Sequence, residues 1–154
     1  MQKLDSLNQV AEFHQLFDAP ILVSPQIPSK ERAQLRVALL EEELKELKEA
    51  IKNNDLVEVA DALCDLQYVL SGAVLEFGMG DKFVQLFNEV HRSNLSKACL
   101  NESEAKETQE YYESEGTSTY CVSKAGRINI HRSADHKVLK NKYYSKANLE
   151  GILK

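Results

Sequence analysis

Two short acidic signatures are the residues best suited to chemistry. They are Glu42-Glu43-Leu44-Lys45-Glu46 and, after a spacer from Leu47 to Val57, Glu58-Val59-Ala60-Asp61, with Asp65 one turn further on. Carboxylates without His or Cys nearby suit a hard cation such as Mg²⁺ or Mn²⁺ better than Zn²⁺. At about 100° per residue, Glu43 and Glu46 fall among Leu39, Leu47 and Ala50 on the apolar face of a first helix. Glu42 lies beside Glu46, while Glu41, Lys45, Lys48 and Glu49 form the opposite, solvated side. On a second helix Glu58, Asp61 and Asp65 make one stripe. Asp61 and Asp65 are the only charges between Val59 and Leu75, and Val59, Ala60, Leu63, Leu66, Val69, Leu70 and Val74 run right round that segment. A helix apolar all round is expected to be buried. A Glu-rich solvated face produces the first pattern readily, so the second carries more weight. Buried carboxylates need a partner, and neither helix has Lys or Arg on its acidic side, so a divalent cation is the simplest missing counter-charge. Glu43, Glu46, Glu58 and Asp61 are its expected ligands, with Asp65 a further ligand or the group that orients one.

The elements that position these acids are legible around them. Ser29 is placed to cap the first acidic helix, with Glu31 in its first turn. The polar turn Lys52-Asn53-Asn54-Asp55 joins the two helices, and Gly78-Met79-Gly80 ends the second. Upstream, residues 5–17 read as a helix with Leu7, Val10, Ala11, His14 and Phe17 at helical spacing. Phe13, His14 and Phe17 could wall a nucleobase, although aromatic stripes are more often core. All three prolines, Pro20, Pro25 and Pro28, fall in the next segment and predict a stiff irregular loop.

Downstream, Asp81 begins another helix, whose stripe of Phe83, Phe87 and Val90 continues into Asn94 and Lys97, two donors that could meet ribose or phosphate. Residues 103–115 read as a polar helix. Period-two alternation around Lys124-Ala125-Gly126 then predicts a hairpin with a three-residue loop. The composition change there suggests a division into an all-α part, residues 1–118, and a hairpin with a basic tail, residues 119–154, packed on the same domain. From 124 to 146 seven basic side chains face Asp135 alone, whereas residues 1–123 hold twice as many acids as bases. The basic segment could cover the acidic body of a neighbouring subunit or help to bind triphosphate.

The acidic signatures resemble those of the all-α nucleoside triphosphate pyrophosphohydrolases, the group of MazG, the dimeric dUTPases and phosphoribosyl-ATP pyrophosphatase. Their pattern is EExxE, a spacer, then ExxD. Glu42, Glu43 and Glu46 match the first half, and Glu58 and Asp61 the second. The eleven-residue spacer is at or just below the short end of the family's range. Val90-His91-Arg92-Ser93-Asn94-Leu95-Ser96-Lys97 looks like the segment after the third core helix of MazG-like proteins. The resemblance implies a MazG-like antiparallel helical bundle, mainly α, here with a small C-terminal β-hairpin. It also implies metal-dependent hydrolysis of a nucleoside triphosphate to the monophosphate and pyrophosphate. A triphosphate carries about four negative charges and needs metal ions to approach carboxylates. On this reading Glu42 orients or deprotonates the attacking water, and Lys97 with Arg92 stabilises the leaving pyrophosphate. Phosphoribosyl-ATP as substrate, and a non-enzymatic helical oligomerisation module whose acids meet a basic tail, are the alternatives.

Length and composition are those of an ordinary soluble domain: 154 residues, net charge −5, 43% hydrophobic. The N-terminus has no apolar leader and no run is long enough to span a membrane, so cytoplasm is the default expectation. Nothing calls for nucleic acid as a partner. Cys64, Cys99 and Cys121 lack C-x-x-C spacing and read as reduced thiols, Cys64 as a core filler. The apolar circumference of the second acidic helix exceeds what one hairpin can cover. A homo-oligomer, dimer or tetramer, is therefore expected.

Overall fold

The computed structural model describes residues 4–154, so Met1, Gln2 and Lys3, part of the stretch read as lacking a leader, lie outside the described residues. The protein is mainly helical, with α1 (Ser6–Leu16), α2 (Lys30–Lys52), α3 (Leu56–Glu76), α4 (Phe83–Leu95), α5 (Glu102–Ser114), β1 (Thr119–Lys124), β2 (Arg127–Arg132) and the short α6 (Glu150–Leu153). None of the described helices is long and apolar enough to cross a membrane. The chain gathers into two compact units, residues 1–83 and 84–154. In the second of these, α5 packs on both strands of the hairpin.

In the first unit α2 and α3 fold back on each other and α1 packs on α3. Ser29 accepts the Arg32 amide at 3.3 Å, and Asp55 accepts the amides of Val57 and Glu58 at 3.0 and 3.2 Å, so both helix starts are capped by their own side chains. Asn54 takes the positive φ of 54° that closes the turn between them, a conformation Asn tolerates. The proline segment runs as a strap over the end of α3, where the Leu22 and Gln26 amides donate to the Leu75 and Phe77 carbonyls. Gly78 is obligatory there: its φ is +69°, and a Cβ would lie 1.9 Å from the Ser24 carbonyl oxygen.

A buried ionic cluster joins the three helices. Glu76, 1% exposed, accepts from both Arg32 and Arg36. The Arg36 guanidinium also reaches His14 Nε2 at 3.2 Å, while His14 Nδ1 meets the Pro20 carbonyl at 2.9 Å. A carbonyl can only accept and a guanidinium only donate, so the proton sits on Nδ1 and Nε2 is the acceptor. Arg36 can lie across α3 only because residue 72 is glycine, since a Cβ there would come within 2.7 Å of its Nη1.

Buried side chains of α3 concentrate at its C-terminal end, from Ser71 to Glu76. Leu56, Val57, Leu63 and Leu70 are exposed, and so is Cys64. The all-round burial read from sequence thus holds for one end of the helix, and Cys64 fills no core in this chain.

The second unit is built on Cys99, Ala105 and Ile130, with Ile128 and Leu139 against them. The β1–β2 pairing runs from Thr119 opposite Arg132 to Lys124 opposite Arg127. The loop is therefore the two residues Ala125-Gly126, at φ 50° and 71°, instead of the three expected. Positive φ at both positions matches the twist of the flanking strands.

Burial alone would raise the Glu76 carboxyl, but hydrogen bonds and charge from Arg32 and Arg36 outweigh it and hold it below the usual carboxylate range. Its stabilising contribution is therefore complete above the unfolded value of about 4.3 and fades as pH falls through the depressed folded value, because the unfolded chain takes up the proton first. Glu76→Gln keeps the shape but leaves two guanidiniums without counter-charge, and should cost about 3–5 kcal/mol. Urea denaturation at pH 7 and pH 3 measures both effects: the difference between wild type and variant should shrink at the lower pH.

Candidate active site

Between α2 and α3, beside the turn that joins them, lies a cleft of about 350 Å³. Glu46 and Glu49 line it from α2, Asp55 from the turn, and Glu58 and Asp61 from α3, with no basic side chain among its walls. Three of the expected ligands, Glu46, Glu58 and Asp61, therefore converge on one cavity. Two of its acids were not among the candidates. Glu49 was placed on the solvated side and does carry a long, exposed contact to Lys45 at 3.9 Å, yet it also borders the cleft one turn after Glu46. Asp55 was read only as the end of the polar turn; it caps α3, and its place at the mouth follows from that role.

Glu43 sits deeper along α2. Its Oε2 is buried and has no hydrogen-bond partner. Desolvation, then the charges of Asp65, Glu46, Glu42 and Asp61, push its carboxyl above the ordinary value. Those four neighbours and Glu43 itself are five of the six acids singled out from sequence, so the structure gathers the α2 and α3 candidates around one carboxylate. Glu42, Glu46, Glu58 and Asp61 are exposed and Asp65 half-buried, so the carboxylates are less enclosed than the sequence suggested. Among the described residues no three acidic, histidine or cysteine groups close around a point that could hold an ion.

The donor set nevertheless fits a hard divalent cation. It consists of carboxylate oxygens alone, one of them buried and unpartnered, with no Lys or Arg among the described residues that line the cleft. A metal would be held by Glu43, Glu46, Glu58 and Asp61, with Asp65 beside them.

The remaining candidates divide. Phe13 of α1 and Phe17 just past its end are exposed, with ring centres 4.4 Å apart. His14 is enclosed and committed to Pro20 and Arg36, so it cannot wall a base. Arg92, Asn94 and Lys97 belong to the second unit. There Lys97 donates to Asn94 Oδ1 at 2.7 Å. The Arg92 guanidinium is engaged by Glu89 at 2.8 Å and by the Lys146 carbonyl at 3.0 Å. That hydrogen bond, with the Asn148 amide adding to it, lowers the Glu89 carboxyl to about 2. Arg92 thus tethers the C-terminal segment, a role the sequence did not announce.

An all-α unit with an acid-lined cleft between two capped helices defines the class of protein. The chain belongs to the phosphoribosyl-ATP pyrophosphohydrolase family, whose profile matches residues 10–94, more than half of its length and all of α2 and α3. An uncharacterized protein of Acanthamoeba polyphaga mimivirus is 37% identical to it over 75 residues. That match covers 45% of this chain and only 30% of the viral protein.

Glu43 at the centre of like charges should weaken the metal-free fold. Glu43→Gln removes one charge and keeps the shape, so in the presence of a chelator the variant should melt above the wild type. Calorimetry of the two proteins in EDTA measures the difference, and a lower melting temperature for the variant contradicts the assignment.

Proposed function

We propose that this protein hydrolyses a nucleoside triphosphate, a deoxynucleotide or a non-standard nucleotide, to the monophosphate and pyrophosphate. The observation that carries the reading is the buried, unpartnered Glu43 oxygen amid acids that no basic residue of the cleft offsets. Membership of a pyrophosphohydrolase family points to the same bond. Mg²⁺, or Mn²⁺, when bound, supplies charge neutralisation and polarises the phosphoryl oxygens. Glu43, Glu46, Glu58 and Asp61 are its holders, and Asp65 orients or adds to them. Glu42, on the water-exposed edge of α2, accepts a proton from the attacking water as its oxygen bonds to the α-phosphorus. The bond from that phosphorus to the bridging oxygen breaks, and pyrophosphate leaves with the electron pair.

Phosphoribosyl-ATP is the second reading, favoured by the family's description. Incubation with Mg²⁺ and a panel of ribo- and deoxynucleoside triphosphates, plus phosphoribosyl-ATP, should release pyrophosphate from at least one of them. Pyrophosphate from phosphoribosyl-ATP alone would select the second reading. At a hundredfold excess over Kd, Mg²⁺ should stabilise the fold by about 2.7 kcal/mol, and Glu43→Gln should lose most of that gain. A protein whose stability ignores Mg²⁺ and which releases no pyrophosphate would be the scaffold alternative.

The same reading makes the protein a homo-oligomer, a dimer or tetramer. Leu56, Val57 and Leu63 of α3 and Leu44 and Ile51 of α2 leave apolar surface in water beside the cleft. Light scattering at micromolar concentration should give at least twice the 17.4 kDa chain mass. A monomer would leave that surface for another partner.

A further inference from the structure

Asp61, Asp65 and Tyr68 stand at i, i+4 and i+7 of α3 and so share one face of that helix. Tyr68 lies about 10 Å along the axis from Asp61, at 1.5 Å per residue. Phe13 of α1 meets the Tyr68 ring edge-on, with centres 5.6 Å apart and planes at 85°, and stacks at a tilt on Phe17. Aromatic clusters between packed helices are normally enclosed. These three rings stay 41%, 62% and 39% exposed for Phe13, Phe17 and Tyr68. The polar neighbours are already committed, His14 to Pro20 and Arg36, and Gln67 to Ser6 and Ser71. The Tyr68 hydroxyl alone makes no hydrogen bond to any described residue.

We propose that Tyr68 reads the nucleobase of the substrate: the base lies against Phe13, Phe17 and the Tyr68 ring, and the phenol hydroxyl hydrogen-bonds its edge. The proposal rests on the pyrophosphohydrolase reading and adds its specificity determinant. An exposed ring cluster with one uncommitted hydroxyl suits a flat heteroaromatic group, since stacking accepts any base and a single hydroxyl discriminates among edges. Its position two turns along the same face from Asp61 leaves room for the sugar between base and phosphates.

The test compares wild type, Tyr68→Phe and Tyr68→Ala with dATP, dGTP, dCTP, dTTP and dUTP, and uses inorganic tripolyphosphate as a base-free competitive inhibitor. Tyr68→Phe keeps the ring and should lower kcat/KM for the preferred nucleotide by roughly threefold to tenfold relative to the others, the worth of one neutral hydrogen bond. Tyr68→Ala should lower it for every nucleotide, by about tenfold or more, through lost stacking. The tripolyphosphate inhibition constant should move in neither variant. Unchanged nucleotide ratios in Tyr68→Phe together with unchanged rates in Tyr68→Ala would overturn the proposal while leaving the hydrolase intact. So would an equal loss for nucleotides and tripolyphosphate, which marks a structural role, or dissociation of an oligomer by Tyr68→Ala with specificity retained, which makes the rings an interface. A wild type that releases pyrophosphate from none of the five, from no ribonucleoside triphosphate and not from phosphoribosyl-ATP removes the pyrophosphohydrolase reading itself.

Discussion

Glu76 shared between Arg32 and Arg36 sets the register of the helical hairpin on which the site depends. Arg32, Arg36 and Glu43 occupy one stripe of α2, and Glu76, Asp65 and Glu58 lie along one side of α3. In an antiparallel pair, fixing Arg36 against Glu76 brings the buried Ala50 opposite the buried Ala62 beside the turn, with Glu43 two turns on from Arg36 between them. Apolar residues alone would allow the helices to slide by a turn with modest loss. A buried carboxylate and a buried guanidinium allow no such slip, because a displaced pair leaves two charges without compensation. His14 ties α1 into the same arrangement through the Arg36 guanidinium.

One helix interface therefore carries charge of two kinds. At one end acid and base meet, leaving only the Arg36 Nε among their buried polar atoms without a partner; at the other, acids meet acids. The second arrangement opposes folding, as the raised Glu43 carboxyl shows. The capped helix starts at Ser29 and Asp55 and the strap held to Leu75 and Phe77 keep the acids facing each other despite that repulsion. Uncompensated charge maintained by well-satisfied structure around it is the pattern of a binding site.

The hairpin, the Ser29 cap and the acidic rows were legible because each is a local pattern: a capping residue before a helix, a carboxylate every third or fourth position. Glu76 was not, because it stands one residue beyond the apolar run whose charges were counted, and its partners Arg32 and Arg36 lie far away in sequence on an apparently ordinary amphipathic turn. His14 looked like a ligand-facing aromatic for the same reason; its real partner, Arg36, is 22 residues away. The expected burial of α3 failed at its N-terminal end because periodicity reports how apolar a face is and says nothing of what covers it. The three-residue loop was misjudged because Ala125 takes a positive φ that its type does not advertise. Arg92 was read as a free cation because its acid, Glu89, precedes it by one turn and its carbonyl partner comes from the distant tail.

The charge imbalance also constrains what can approach the cleft. The first 83 residues contain nearly two acids for every base, and the cleft itself is lined by five carboxylates and no cation. Such a field repels a free triphosphate and attracts divalent ions, raising their local concentration. Under the proposed function a polyanionic substrate would enter with its charge already reduced, while the aromatic rings at the other end of the α3 face would provide an attraction that charge does not oppose. Phe13, Phe17 and Tyr68 are neutral and exposed, so on the proposed reading binding through the uncharged part of the ligand would work against the repulsion felt by the charged part. Under the proposed function, selectivity for the uncharged moiety would follow from the same electrostatic constraint that draws a cation to the acids.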